Sequence, residues 1–452
     1  MKLTDLRGHL AALELQPSKS LGQNFLHDQN LAAWMVRQLD APASDQIVEV
    51  GPGLGALTEL LVEQVQNGTA IEKDGRLAHF LQERFANKPG WRFVHADACE
   101  FDRRTLFAGG PVTLIGNLPY YVSTAVILNF LSEPTPVSRA LFTLQREVAE
   151  RLSAEAGTRE YGSLTIAIQR RWRVRYLRTL PASVFHPEPK VESGVVLLTA
   201  RPSSDVEPVG GAAFERWVRQ GFSQRRKQLR KLLNIDPERW ATLSSDLGIL
   251  PTARAEELSI SQWTSLVNAL EPSRNSSGQQ PDLEIFDVVN DRDEVVDQAT
   301  RAEVHGRELR HRAVHVFVFN QAGELFLQKR SHLKDRHPGV WDSSAAGHLD
   351  SGETYDAAAA REIVEELGIE CPVQFAGRLN ASADTGFEFI HIYTAAHEGP
   401  FQLHPWEIES GAFFPLDLLE QWIEARPADF APGFLRCFEA LDQKMPGSNI
   451  TM

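Results

Sequence analysis

The chain has 452 residues, 42% of them hydrophobic and 23% charged, which is too long for one ordinary core and unlike a fibrous or disordered protein. Its net charge of −14 is a poor guide to partners: residues 1–271 carry 31 Lys and Arg against 30 Asp and Glu, residues 272–452 carry 15 against 30. The solitary Cys99, Cys371 and Cys437, the shortness of apolar runs such as Ala313–Phe319 and the charge-interleaved start argue against a disulfide framework, a structural zinc site, a membrane span and a signal peptide.

A reducing, cytoplasmic setting is expected. In chain order, short apolar runs at Ile47–Val50, Thr69–Glu72, Arg92–His95, Val112–Ile115 and Ala140–Leu144 read as strands. Amphipathic stretches at Leu54–Gln64 and Gly75–Phe85 lie between them and read as helices. This alternation predicts an α/β fold, a mostly parallel sheet with helices on both faces. Leu164–Gln169 and Gly194–Thr199 read as an antiparallel pair closing the sheet. Residues 170–231 then gather 14 basic against 5 acidic side chains, which keeps a polyanionic partner plausible despite the acidic whole. From Phe214 to Leu270 the pattern turns helical and predicts a small separate lobe.

Glu271–Pro281, EPSRNSSGQQP, has no periodicity and reads as a flexible linker. Beyond it, Val314–Phe319 and Glu324–Lys329 flank Asn320-Gln321-Ala322-Gly323 and predict a hairpin. A long helix is expected over Ala357–Leu367.

Two groups of residues carry chemistry in the first part. The loop Gly51-Pro52-Gly53-Leu54-Gly55 follows the first strand, where glycines let backbone approach a ligand. Its spacing, G-x-G-x-G, differs from the dinucleotide fingerprint G-x-G-x-x-G. Glu72 ends the second strand, placed to accept both ribose hydroxyls, and Asp97 follows the third, placed to accept from an adenine amino group. After the fourth strand come Asn117, Leu118, Pro119 and Tyr120. An exocyclic amino group is a poor nucleophile because its lone pair is delocalised into the ring. The Asn117 amide oxygen and a backbone carbonyl beside Pro119 can accept its two hydrogens, so that the lone pair points at an incoming methyl group. Pro119 stiffens the turn, and Tyr120 offers a flat face to an extruded base. Together these features favour S-adenosyl-L-methionine over a nicotinamide cofactor.

The strings SLGQNFL (Ser20–Leu26), EVGPGLGALT, IEKD, HADA, GNLPYYVST, LQREVAERL, FHPEPKVES and FSQRRKQLRKLL follow one another in residues 15–271. In that order they resemble the bacterial small-subunit (16S) rRNA adenine N6,N6-dimethyltransferases. The resemblance implies a Rossmann-like S-adenosylmethionine-dependent sheet with a small helical C-terminal lobe. It implies methylation of two adjacent adenosines near the 3′ end of the RNA. Asn24, Leu26, Gly51, Gly53, Glu72, Asp97 and Asn117 would line the cofactor cavity, and Phe185 would form the aromatic wall opposite Tyr120. Arg225, Arg226, Lys227, Arg230 and Lys231, read as one cationic helix face, would contact RNA phosphates. Related enzymes that methylate the large-subunit RNA, and RNA-binding assembly or transcription factors keeping the fold without turnover, are the alternatives.

Gly347 to Ile369 fits G-x5-E-x7-R-E-U-x-E-E-x-G-U without a miss. It resembles the Nudix box, in a domain over about 282–440 that implies a mixed sheet between helices. Glu362, Glu365 and Glu366 lie at i, i+3 and i+4, and three like charges on one helix face call for Mg²⁺ or Mn²⁺. Such a cation would polarise a diphosphate and activate water. Lys329 and Arg330 are candidates for substrate phosphates, and Glu388 for an extra ligand. His305, His311, Trp341 and His348 are similar to the subgroup near isopentenyl-diphosphate isomerase. That isomerase needs a cysteine just before the motif's glycine, and Ser343-Ser344-Ala345-Ala346 stand there, so hydrolysis of a nucleoside-diphosphate-type compound is expected. The expected organisation is a methyltransferase core over 1–205, an RNA-binding helical lobe over 206–271, a linker over 272–281 and a Nudix hydrolase over 282–452.

Overall fold

The computed structural model describes residues 1–18, 21–42, 44–271 and 284–442; Ser20 of the first motif and the expected linker over 272–281 lie outside them. The chain divides into two compact units, Met1–Val206 with Glu215–Trp263, and Glu207–Phe214 with Thr264–Met452.

The first unit opens with α1 (Leu3–Ala12), β1 (Phe25–Leu26) and α2 (Gln29–Leu39), whose first turn is capped by Asp28 accepting from the Leu31 N–H. The sheet then builds through β2 (Gln46–Val50), α3 (Thr58–Gln64), β3 (Gly68–Glu72), α4 (Gly75–Arg84), β4 (Trp91–His95), β5 (Val112–Asn117), α5 (Ser123–Leu131) and β6 (Val137–Gln145). It finishes with α6 (Arg146–Leu152), α7 (Ser163–Gln169), β7 (Trp172–Leu180), β8 (Phe185–His186) and β9 (Ser193–Ala200). The seven strands run in the order β4-β3-β2-β5-β6-β9-β7, parallel from β4 to β6 and antiparallel at the last two. Side chains alternate between two buried layers: Val48, Val50, Leu114 and Phe142 face one core, Ile47, Ile115 and Leu141 the other. Strands covered on both faces read as continuous apolar runs, which is why these were visible in the sequence. Strand order reverses between β2 and β5, so a crevice opens at their carboxyl ends.

Two expectations for this unit need correction. Leu164–Gln169 is not a strand but lies in α7, whose start is fixed by the Thr165 hydroxyl accepting from the Gly162 N–H at 3.1 Å. Its Thr and Ile favour strand by propensity, but the place beside β9 is taken by β7, whose exposed Arg173, Arg175 and Arg178 disguised it. Charges on that edge strand discourage pairing with other chains. The helix expected from Leu54 begins at Thr58, because Gly51, Gly53 and Gly55 all take positive φ (67°, 58° and 85°), which a helix does not allow.

Four helices follow, α8 (Gly211–Gly221), α9 (Leu229–Leu232), α10 (Pro237–Asp246) and α11 (Ile260–Leu270). Arg225, Arg226 and Lys227 are not helical. They sit on a turn between α8 and α9, and only Arg230 and Lys231 belong to the short helix.

In the second unit, β10 (Ile285–Val289) and β11 (Val295–Thr300) form a two-stranded sheet followed by α12 (Arg301–Gly306). A second sheet contains β12 (His311–Phe319), β13 (Leu325–Arg330), β14 (Trp341–Asp342), β15 (Ala345–His348), β16 (Gln374–Leu379), β17 (Glu388–Ala396) and β18 (Ile408–Phe414). The expected hairpin turn forms, with the Gly323 N–H on the Asn320 carbonyl at 3.0 Å, but its strands pair only at Phe319 and Leu325. β12 instead runs parallel to all of β17 and takes β15 along its other edge, while β13 goes to β14 and β18. Helix α13 (Tyr355–Glu362) passes into a π-helical turn, Ile363–Leu367, that ends at Gly368 with φ 69°. Helices α14 (Leu416–Ala425) and α15 (Pro432–Asp442) close the unit. Among the described residues no helix is long and apolar enough to cross a membrane.

Candidate functional sites

In the first unit the residues that end β2, β3 and β5 and follow β4 line one cavity with the loop before β1. Asn24, Leu26, Gly51, Gly53, Glu72, Asp97, Asn117, Leu118, Pro119 and Tyr120 are all on its wall. Gly53 is held there by close approach as well as by φ: a Cβ would stand 2.8 Å from the Phe25 ring. The buried Glu72 carboxylate accepts from the Gly53 N–H at 3.0 Å and the Asp74 N–H at 2.9 Å. Burial raises its pKa, and those backbone bonds oppose the rise. Glu49, also buried, accepts from the Thr58 hydroxyl, and burial pushes its carboxyl up to about 8. Asp97 is held below the usual carboxylate range, first by the Lys73 ammonium and then by the Cys99 N–H.

The amide of Asn117 donates through Nδ2 to the Asn24 carbonyl at 2.9 Å, which leaves Oδ1 as its acceptor. The Pro119 carbonyl already accepts from the Val122 N–H at 3.2 Å, and the Leu118 carbonyl is the other backbone acceptor beside the proline. The Tyr120 hydroxyl bonds Ser193 Oγ at 2.6 Å, fixing the ring. Phe185 does not face this cavity. It pairs with Leu26 in the β1–β8 ladder and is 2% exposed, packed into the core beneath, so the wall opposite Tyr120 is not formed by its ring in this structure. Lys73 and Tyr121 also line the cavity, although no motif chemistry had singled them out.

Of the five basic residues after α8, Arg225, Arg226, Lys227 and Lys231 are exposed and Arg230 is half-buried. Arg225 also donates to the carbonyls of Arg159 and Tyr161, and Arg230 to that of Ile235.

Among the described residues of the second unit, a strongly ionic cavity is lined by Glu362, Glu365 and Glu366 together with Arg301, Arg330, Lys334, Arg336, Arg361 and Glu388. The three glutamates that the sequence put on one face all line this cavity, and Arg361 pairs with both Glu362 and Glu365. Glu362 and Glu366 are buried, whereas the Glu365 side chain is half exposed and pairs with Arg361. π-helical turns such as Ile363–Leu367 recur at functional positions in helices. Glu366 accepts from the Ala346 N–H at 3.0 Å and Gln328 Nε2 at 2.9 Å. Burial raises both pKa values, Glu362 to about 8 with repulsion from Glu366 adding to the rise, while Lys334 and Arg330 oppose it at Glu366. Gly347 has no room for a Cβ, which would overlap the Glu362 carboxylate. Buried carboxylates that repel one another and carry oxygen donors suit a hard divalent cation.

Strand alternation separates the two candidate phosphate ligands: Arg330 lines the cavity and pairs with Asp342 at 3.0 Å, while Lys329 pairs with Glu409. Trp341 packs against Phe414 and Trp422 in the core. His305, His311 and His348 bring one ring nitrogen each within 4.8 Å of the others. Glu388 joins them, accepting from His348 Nε2 at 3.1 Å. Burial drives the His348 imidazole down to about 3, so it is neutral at neutral pH. Three imidazoles and a carboxylate form a donor set that can hold a divalent transition metal. Lys334 and His404, on loops without periodicity, complete the cavity and left no signal in the sequence.

Residues 15–271 match the family model for ribosomal RNA adenine dimethylase, and residues 309–434 the model for a NUDIX domain. A ribosomal RNA small subunit methyltransferase A from Lactiplantibacillus plantarum is 38% identical over 268 residues, which is 57% of this chain and 90% of that protein. The protein of the same name from Bacillus mycoides is 38% identical over 264 residues, 56% of this chain and 90% of its own length. A dimethyladenosine transferase from Plasmodium falciparum, solved by crystallography, is 22% identical over 54% of this chain and 95% of its own, with a TM-score of 0.46. The chain therefore belongs to the ribosomal RNA adenine dimethylase family and carries a NUDIX domain behind the methyltransferase.

Proposed function

We propose that the first unit transfers methyl groups from S-adenosyl-L-methionine to N6 of two adjacent adenosines near the 3′ end of small-subunit ribosomal RNA. This makes it a ribosome-biogenesis enzyme of the cytoplasm, with the small ribosomal subunit as partner. The observation that carries the reading is the Asn117 amide, tied through Nδ2 so that Oδ1 stays an acceptor in the cavity that Glu72 and Asp97 share. Asn24, Leu26, Gly51, Gly53, Glu72 and Asp97 would hold the cofactor, which supplies an electrophilic methyl when bound. Asn117 Oδ1 and the Leu118 carbonyl would accept the amino hydrogens of the base, and Tyr120 would support its ring. Orientation of this kind supplies much of the acceleration without a covalent enzyme intermediate. The small subunit is favoured over the large by the names of the relatives.

The second unit is, on this reading, a Mg²⁺- or Mn²⁺-dependent hydrolase of nucleoside-diphosphate-type compounds. Glu362 and Glu366 would hold the cation and Arg330 would meet substrate phosphate. Incubation with labelled S-adenosylmethionine and unmethylated small subunits, followed by mapping of modified bases, tests the first reading: label on large-subunit RNA, or none, would sink it. A screen of nucleoside-diphosphate compounds with and without Mg²⁺ tests the second, and turnover indifferent to chelation would count against it.

A further inference from the structure

Tyr121 follows the residue that receives the target base, and it is exposed where Tyr120 is half-buried. The turn closed by the Val122 N–H on the Pro119 carbonyl, at 3.2 Å, sends Tyr120 inward to Ser193. It leaves Tyr121 at the rim of the same cavity with 58% of its surface exposed, the one aromatic among the exposed large hydrophobics of the first unit's described residues. The exposed ring is nevertheless supported. Its Cδ1 and Cε1 lie 3.1 and 3.2 Å from where a Gly22 Cβ would stand, and Pro119 Cβ is 3.2 Å from that point. Gly22 has φ 60°, so the loop that covers the cavity has both the backbone form and the missing side chain that let the ring rest on it. A ring braced from below and open above costs apolar exposure unless something covers it.

We propose that Tyr121 is the stacking platform for the nucleobase adjacent to the one held for methylation. This rests on the adenosine-methylating reading. A substrate that offers two adjacent adenosines always has a second purine one nucleotide from the cavity, and an extruded base leaves that neighbour without its stacking partner. A flat phenol at the rim takes that partner's place, holds the strand in register during one transfer, and exchanges bases before the next. Tyr121 is thus a positioning residue: it touches substrate outside the reacting atoms and contributes to binding rather than to the methyl step.

The test is steady-state methylation of unmethylated small subunits by the full chain carrying Y121F, Y121L or Y121A, with S-adenosylmethionine affinity measured by calorimetry. Loss of one base–aromatic stack predicts a KM for subunits raised about 5- to 150-fold in Y121A, with kcat little changed. Y121F, which keeps the ring, should restore the KM. Y121L, which keeps the bulk and loses the π face, should not. Cofactor affinity should stay within about twofold of wild type in all three variants.

An unchanged KM in Y121A, or rescue by Y121L, would overturn the proposal, since a ring needed only for packing would be replaceable by any apolar side chain. Cofactor affinity falling in step with KM would show that Tyr121 acts by holding the cofactor and also overturn it. If wild type leaves the adenosines unmodified, the methylation reading fails and the proposal falls with it. If wild type methylates and Y121A matches it, the proposal alone fails.

Discussion

The two cavities are organised by different parts of the chain. In the methyltransferase cavity the main chain sets the geometry: Glu72 is fixed by N–H groups of Gly53 and Asp74, and Asn117 by the carbonyl of Asn24. In the NUDIX cavity side chains hold side chains: Arg361 bridges Glu353, Glu362 and Glu365, Arg330 meets Asp342, and Lys334 pairs with Glu407. Backbone donors keep their place whether or not a ligand is bound. Ionic pairs in a buried setting are costly to dehydrate, and Glu362, raised by burial and by repulsion from Glu366, takes its charged form more readily when positive charge is added. The first cavity is therefore expected to keep its shape when empty, the second to tighten on a cation.

The largest effect should come from Asn117→Ala. Removing a single preorganised group aimed at the reacting atom costs about 10²–10³-fold in rate. The methyl-transfer rate should fall by at least that much while calorimetric cofactor binding survives; loss of both together would mean that Asn117 shapes the cavity rather than the reaction. The NUDIX cavity should respond unevenly. Glu366→Gln, at a buried position, should remove most metal-dependent hydrolysis and the thermal stabilisation given by Mg²⁺. Glu365→Gln, at the half-exposed end of the Arg361 pair, should cost less. Equal losses would show that a bound cation draws all three glutamates together and that the burial difference is irrelevant. Methylation should be untouched by either.

A third effect follows from Glu49. Its folded-state pKa is raised by burial from 4.5 to about 8, so its contribution to stability is whole below 4.5 and is lost as pH rises through 8. The steepest loss is about 1.4 kcal/mol per pH unit for one such group. Glu49→Gln keeps an acceptor for the Thr58 hydroxyl and removes the titration. Urea unfolding of the full chain at several pH values inside that window should show a flatter profile for the variant, and an identical slope would place the titration elsewhere.

The same contrast explains what the sequence reveals and what it hides. Gly51, Glu72, Asp97 and Asn117 end or follow parallel strands whose apolar runs are unmistakable, so fold topology alone gathers them, and ten of the expected residues share one wall. Phe185 is different: its place depends on pairing with Leu26, a long-range ladder that local pattern does not encode, and that pairing buries it. Leu164–Gln169 misleads because a short β-branched run fits strand or helix until its neighbours are known. In the second unit, three glutamates at helical spacing share one cavity, but the burial of two, the half-exposure of the third and the π-helical turn that carries Glu365 and Glu366 are not written in the spacing. Lys334 and His404 come from irregular loops, which carry no periodic signal at all.

The smallest effect concerns the basic residues after α8, where the same distinction between backbone-bound and free side chains applies. Arg225, Arg226 and Lys227 are all exposed on the turn, but Arg225 also donates to the carbonyls of Arg159 and Tyr161. If RNA phosphates are their partners, replacing Arg226 and Lys227 by Ala should weaken binding to small subunits and lower the slope of log affinity against log salt by about one for each phosphate no longer neutralised. Arg225→Ala should act mainly through the loop it braces, lowering thermal stability and leaving the salt slope close to wild type. A salt slope that drops for Arg225 and not for Arg226 and Lys227 would reverse the assignment, because only a side chain that displaces counterions from phosphate can change that slope.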